Sequence, residues 1–442
     1  MSESANTEKT LFQLSFPLVL NAMIGMGVMI ADTMIISAYS ESAAAAVSIA
    51  NQILLVAFDL SALFAAGAVV LISRCLGAKD TAGARRMAET AMLGNAIVSV
   101  SIGVMILALA PWLISAINCP AEIVSDAVVY LRVGAFTILF NGVMIAATAT
   151  LRGFGETRVI LFLGIFAYAA YLTSAYVLIF GAGPLPELGV LGSALATLIV
   201  RFTAVVALLV VLVRRLKMKL FFWQDSGEAT MTRARQMFVI AWPGALDNFA
   251  YGFYQMILVS FIATYNVAML LSRTFTLSLS ALLTVLLMSI SQANEVMVGY
   301  RHGARKFAEV TQCVIRSSAV AIVVTTGCAI LLYSFAKPLV GLFTKQPQVL
   351  ELAQELLWLT IFVQPFSAVN TILFHSLRAI GDVLVPVAGT QIMMWGLSVP
   401  IAYHLAVTMG MGVIGLWYVL IMEEALKAIF LLVRWRLRSA HS

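Results

Sequence analysis

Charge is what this sequence has least of. Only 11% of its 442 residues are Asp, Glu, Lys or Arg, against 62% hydrophobic ones, and the mean hydropathy is +0.99. A soluble domain carries about 25% charged residues. A soluble chain of this length would have to coat its surface with charges it does not have, which excludes a cytoplasmic enzyme and a nucleic-acid binder. Cysteine is scarce as well. Cys75, Cys119, Cys313 and Cys328 lie far apart without a CxxC, which excludes a disulfide scaffold and leaves them as small apolar helix residues. The four histidines show no ligand spacing, and HExxH and GxSxG are missing. No metal, no cofactor and no enzymatic activity are therefore expected. The excess of 27 Lys and Arg over 21 Asp and Glu fits the cytoplasmic loop bias of a polytopic membrane protein better than an acidic partner.

Long apolar runs are what the chain does have. A spanning helix needs about 20 apolar residues, and such runs recur at 11–38, 44–74, 87–114, 123–150, 157–181, 188–214, 236–263, 268–297, 309–335, 348–377, 384–407 and 412–434. They are continuous rather than alternating, so helices are expected and a β-barrel is not. The first run reads as a span and not as a cleaved leader, because it is too long and no A-x-A site follows. Basic residues concentrate in one set of loops: Lys79, Arg85 and Arg86; Arg152 and Arg158; Arg214, Arg215, Lys217 and Lys219; Arg301, Arg305 and Lys306; Arg378; and Arg434, Arg436 and Arg438. The positive-inside rule then places both termini in the cytoplasm of a multi-pass protein of the plasma (inner) membrane. The polar loop 215–235 is the expected linker between an N-terminal lobe, 1–214, and a C-terminal lobe, 236–442.

The chain repeats itself. Leu151-Arg152-Gly153-Phe154-Gly155-Glu156 returns as Leu377-Arg378-Ala379-Ile380-Gly381-Asp382, and Pro17 returns as Pro243. Ala84-Arg85-Arg86-Met87-Ala88-Glu89 is matched with Ala304-Arg305-Lys306-Phe307-Ala308-Glu309, which implies a short indel between the copies. Six spans per copy make the two halves parallel. The expected architecture is an all-α membrane protein of twelve helices in two six-helix lobes around a central cavity, the plan of transporters that rock two bundles.

Several segments resemble the multidrug and toxic compound extrusion (MATE) family: Pro17 through Asp32-Thr33-Met34, Gly77-Ala78-Lys79-Asp80, Leu151-Arg152-Gly153-Phe154-Gly155-Glu156-Thr157, Tyr176-Val177-Leu178-Ile179-Phe180-Gly181 and Gly412-Val413-Ile414-Gly415-Leu416-Trp417. The resemblance covers nearly the whole chain. It implies an antiporter that expels cationic or amphipathic organic compounds in exchange for H⁺ or Na⁺. Two departures bear on the ion. Tyr171 and Ala175 stand where sodium-linked members carry Asn and Asp, and Ser367 stands where some members carry a carboxylate. H⁺ is thus the expected coupling ion, with Na⁺ the alternative.

Asp32 lies deep in the first span, where a charge costs at least ~2.5–3.5 kcal/mol. A carboxylate can shed that cost by taking a proton, so Asp32 is the expected coupling residue. Asp59, Asn21, Asn51 and Asn141 are candidates for a polar network with it, against the plainer reading of interhelical hydrogen bonds. Asp247, Tyr251, Tyr254 and Gln255 share a face at the start of span seven and would suit a lipophilic cation. The alternative there is an interfacial carboxylate with interfacial tyrosines. Glu295 is expected to be solvated, and Glu423 and Lys427 to form an i, i+4 ion pair. Pro17 is a candidate hinge. The expected partners are a small organic substrate and membrane lipid, with the protein itself a monomer. A flippase for lipid-linked oligosaccharides or cell-wall precursors is the competing reading. It would call for several Arg in the cavity, and Arg273 is the residue that hints at it.

Overall fold

The computed structural model describes residues 9–117, 120, 122–181, 186–218, 227–263, 265 and 267–439, without the side chain of Glu41. Cys119, Lys219 and 219–226 of the expected linker lie outside the described residues. The helices are α1 (Leu11–Tyr39), α2 (Glu41–Ser61), α3 (Ala65–Gly77), α4 (Thr81–Ala116), α5 (Val124–Gly153), α6 (Thr157–Phe180), α7 (Gly189–Leu216), α8 (Gly227–Ala263), α9 (Val267–Gly303), α10 (Phe307–Ser334), α11 (Ala336–Gly341), α12 (Pro347–Ala379), α13 (Leu384–Met393), α14 (Val399–Tyr403) and α15 (Gly412–Ser439). Each of the twelve expected spans is helical. Among the described residues, ten helices are long and apolar enough to cross a membrane. The other two, α8 and α15, have the length but interrupt their apolar runs, with Asp247, Asn248 and Gln255 in one and Glu423, Glu424 and Lys427 in the other.

Two spans are not the uniform helices that their composition suggests. The second breaks between α2 and α3. The break frees the Phe64 N–H, which donates to Asn95 Oδ1 from α4 at 2.9 Å. The eleventh contains two π-helical turns, Met394–Ser398 and His404–Thr408. A π turn leaves carbonyls short of partners, and Tyr265 Oη donates to the Ala406 carbonyl at 2.6 Å. Pro17 lies inside α1, which runs through it without a break.

The repeat is written into how four helices end. α5 stops with bonds from Gly155 N–H to Arg152 O and from Glu156 N–H to Leu151 O. α12 stops with the same pair, from Gly381 to Arg378 and from Asp382 to Leu377. These are Schellman caps, which require a left-handed residue, and Gly155 and Gly381 supply it with φ of 72° and 84°. α3 and α9 end alike, on Lys79 and Arg305 with φ of 62° and 58°. That geometry corrects the register expected for this segment. Ala78-Lys79-Asp80 corresponds to Ala304-Arg305-Lys306, with the same offset of 226 that relates Pro17 to Pro243 and Gly155 to Gly381. The implied indel disappears. The residue after each cap gathers the basic end of its unit's last helix: Glu156 lies 3.9 Å from Arg215, and Asp382 lies 2.7 Å from Arg434 and 3.1 Å from Arg438.

Two compact units result. Among the described residues, one holds Lys9 and Phe16–Trp242; the other holds Thr10–Ser15 and the residues from Pro243 on. The divide therefore falls inside α8, beyond the expected 215–235 loop. The start of α8 belongs to the first unit by packing. Met237 is fully buried in a core with Ala68, Ile72, Met92 and Leu212, and Arg233 Nε donates to Thr90 Oγ1 at 3.1 Å. Gly67 lets this contact form, since a Cβ there would lie 2.4 Å from the Met237 carbonyl oxygen. The core of the second unit is built around Tyr254, Leu258, Leu356 and Trp417.

Candidate functional site

A cavity of about 360 Å³ lies within the first unit, large enough for a small organic molecule. Its walls come from α1, α2, α5, α6 and α7. Most of the lining is apolar (Val28, Met29, Leu54 and Phe58 among it), with a few polar groups converging: Asp32, Asn51, Tyr130, Tyr171 and Arg201. Gly25 opens one wall, because a Cβ there would press on the hydroxyl of Tyr168 at 2.8 Å.

Asp32 is the acid of this cavity. Tyr171 Oη, from α6, donates to its Oδ1 at 2.6 Å, the length of a charge-assisted bond. Tyr171, whose sequence position marks only the place of a missing Asn, is the partner of Asp32 in the structure. Asn51 lines the cavity and accepts from Tyr130 Oη at 3.4 Å. Asn141 sits behind the wall, buried, donating to Ser61 Oγ at 2.6 Å. It also accepts from Arg201 Nη1, and Arg201 Cζ lies 4.2 Å from the centre of the Phe58 ring. Among the described residues, Arg201 forms no ion pair with an acid. Asn21 is outside the cavity lining, its Oδ1 buried and without a hydrogen-bond partner among the described residues. Asp59 is outside it too: its side chain is exposed near the end of α2 and makes no hydrogen bond among the described residues. Of the candidates around Asp32, Asn51 shares its cavity and Asn141 holds the Arg201 that lines it, but among the described residues neither asparagine is hydrogen-bonded to Asp32.

The second unit carries a separate polar cluster. Lys427 Nζ lies 2.5 Å from Glu423 and 3.9 Å from Glu424. Tyr254 Oη donates to Glu423 at 2.5 Å, and Asn370 Nδ2 donates to Glu424 at 2.9 Å. Asp247 accepts from Gln391 Nε2 at 2.6 Å. Gln255 bonds Tyr251 and takes Arg273 Nη2 at 2.6 Å, so Arg273 is held by an amide. The expected pair of Glu423 and Lys427 is present, and Asp247, Tyr251, Tyr254 and Gln255 gather in this unit. Glu295 reverses its expectation. It is buried, 1% exposed, with Arg378 Nε at 2.7 Å and Nη2 at 3.0 Å. Neighbouring helices cover a position that sequence alone places at a wet helix end.

A polytopic helical membrane protein made of two related halves, one with a largely apolar cavity that holds a few polar groups, is the class that this fold and site define. A family model described as MatE matches residues 17–177 and again 243–404, the two matches beginning on the paired prolines. The chain belongs to this family, that of the MATE transporters. It is 28% identical over 438 residues to the "uncharacterized transporter YisQ" of Bacillus subtilis, covering 99% of this chain and 96% of that protein. It is 24% identical over 446 residues to the "probable multidrug resistance protein NorM" of Thermotoga maritima, covering 99% and 95%. Among solved structures, the outward-facing conformation of a multidrug resistance MATE family transporter shares its fold, with a TM-score of 0.88 at 18% identity over 99% of this chain and 97% of that one.

Proposed function

We propose that this protein exports amphipathic organic compounds from the cytoplasm across the inner membrane in exchange for H⁺, with Asp32 taking and releasing the proton as access alternates. The observation that carries the reading is Asp32 itself: a carboxylate in a span, lining a cavity of drug size, held by one tyrosine hydroxyl. Proton uptake removes a charge that the membrane makes expensive. It also changes what the carboxylate offers, since a neutral carboxyl binds a cation poorly. The name of the Thermotoga relative speaks for drugs as cargo.

The energetics suffice. For a neutral substrate, one proton crossing about 150 mV supplies ~3.5 kcal/mol, which at about 1.4 kcal/mol per tenfold holds a concentration ratio of a few hundred; a monovalent cation cancels the electrical part and draws on the pH gradient or a second proton. Na⁺ is the less suited ion, because it wants several oxygens and the residues present at the two family positions are Tyr171 and Ala175. A lipid-phosphate flippase would call for several Arg; among the described residues lining the cavity there is one, Arg201.

Proteoliposomes with a preset pH gradient test the proposal. Adding a lipophilic aromatic cation discharges the gradient in the wild type and leaves it intact in Asp32→Asn. Equal discharge by both proteins would remove Asp32 from the coupling. Sodium flux without pH change would replace the ion.

A further inference from the structure

Midway along α15, two acids and a lysine share one face: Glu423, Glu424 and Lys427. An i, i+4 pair of this kind ordinarily lies on a wet helix face, where the lysine snorkels toward water. This one is buried. Glu423 is 1% exposed and Lys427 7% exposed, so the ammonium stays inside the second unit. A buried ion pair needs further hydrogen bonds to offset its lost hydration.

Those bonds arrive in a pattern. Tyr254 Oη, from α8, donates to Glu423 Oε2 at 2.5 Å. Asn370 Nδ2, from α12, donates to Glu424 Oε2 at 2.9 Å. Each carboxylate thus has one oxygen fixed by a neutral donor on another helix. The two remaining oxygens, Glu423 Oε1 and Glu424 Oε1, lie 2.5 and 3.9 Å from Lys427 Nζ. Asp247 attracts the same ammonium from farther away, with its Oδ1 taken by Gln391. A tyrosine hydroxyl and an amide supply no charge, so neutralising Glu423 rests on Lys427. Three helices together build a cradle of oxygens around one ammonium. The cradle is not part of the repeated scaffold. With Gly189-Val190-Leu191-Gly192 set against Gly412-Val413-Ile414-Gly415, the first unit has Val200, Arg201 and Ala204 at the three positions.

We propose that the second unit contains a built site for a primary ammonium and that its own Lys427 fills it as a tethered ligand. Lys427 is then a specificity-determining residue. It closes to free amines an acid cluster that the carboxylates and tyrosines of this face would otherwise suit to them. A tethered ammonium loses no translational freedom on binding and is present at a high effective concentration, so a free amine in solution does not displace it. The inference stands apart from the export reading, since it involves neither Asp32 nor the coupling ion.

Chemical rescue decides the matter. Lys427→Ala deletes the equivalent of one propylammonium and leaves the cradle, and the deleted piece is added back as propylammonium chloride. Melting temperatures are read on the detergent-purified full chain. Lys427→Ala melts about 5 °C or more below the wild type, because a buried carboxylate is stranded. Propylammonium restores at least half of the loss by binding the folded variant. Neither 1-propanol, which has the shape without the charge, nor tetramethylammonium, which has the charge without N–H donors, does so. The wild type responds to none of the three, and adding Glu423→Gln to Lys427→Ala abolishes the response. An unshifted Lys427→Ala, a missing rescue, or an equal rescue by propanol or tetramethylammonium overturns the proposal. So does a wild type stabilised by propylammonium, or a rescue that survives Glu423→Gln. Should Lys427→Ala fail to fold, Lys427→Met with and without Glu423→Gln decides in its place. The double variant melts above the single one where the lysine neutralises the acid, and a double variant melting at or below the single one overturns the assignment.

Discussion

Replacing Arg378 by Met breaks a buried ion pair of the second unit. Arg378 on α12 grips Glu295 on α9 with two parallel bonds of 2.7 and 3.0 Å, and the carboxylate is 1% exposed. Arg378 Nη2 also lies 2.9 Å from His375 Nδ1, which itself lies 3.3 Å from Glu295 Oε2, so that nitrogen is placed to donate to Glu295 once the guanidinium is removed. Each charged hydrogen bond contributes roughly 1.5–3 kcal/mol, and breaking a buried pair from one side costs about 3–5 kcal/mol because an uncompensated charge remains. Arg378→Met should lose an amount toward the lower end of that range, held there by His375, and Glu295→Met an amount within it. The double variant, which leaves no stranded charge, should recover at least ~2 kcal/mol of the summed loss. Thermal unfolding of the four proteins in one detergent, followed by intrinsic fluorescence, gives the cycle. A double variant whose loss equals the sum of the single losses would show that the pair is not coupled and that Glu295 is effectively wet.

Other expectations follow from individual contacts. Tyr171→Phe removes the bond to Asp32 with little change in volume and should slow proton-coupled export about tenfold or more, as expected for a charged hydrogen bond; unchanged export in proteoliposomes would strip that bond of a role. A Cβ on Gly142 would lie 1.9 Å from Ser99 Oγ and 2.5 Å from the Asn95 carbonyl oxygen. Gly142→Ala should therefore destabilise by ~1–3 kcal/mol, and adding Ser99→Ala should recover only part, because the carbonyl stays; full recovery in melting temperature would contradict the packing. Burial alone would push the Asp382 carboxyl up, but the hydrogen bonds and charges of Arg434 and Arg438 outweigh it and hold it below the usual carboxylate range. Its contribution is thus complete above that range and lost as pH falls through the lowered value. Wild type and Asp382→Asn should differ by a constant amount between about pH 7 and 5 and converge only below about pH 4; convergence near neutrality, in a melting series against pH, would refute the assignment.

Composition and pattern carried much of the architecture because they are local properties. Scarce charge, twelve apolar runs and a Gly-Arg-Pro framework repeated at a constant spacing define a two-part helical membrane protein, and a lone acid in the first run marks Asp32. Register was less legible where it rested on composition. Ala84–Glu89 and Ala304–Glu309 look alike as basic segments, yet the left-handed residues Lys79 and Arg305 align the helix ends six residues away from that match. A helix cap fixes its register through backbone geometry, which residue similarity does not encode.

What only the tertiary structure decided is which way side chains point. A helix that is apolar all round has no amphipathic stripe to reveal its inner face, so the sequence is silent on whether Asp59 or Tyr171 meets Asp32. The contacts that matter also join distant residues: Tyr171 and Asp32 are 139 positions apart, Arg378 and Glu295 are 83 apart, and Arg201 and Asn141 are 60 apart. Such pairings are settled by how helices pack against each other. The packing buried Glu295, carried the start of α8 into the first unit, and set Arg201 beside the same cavity as Asp32.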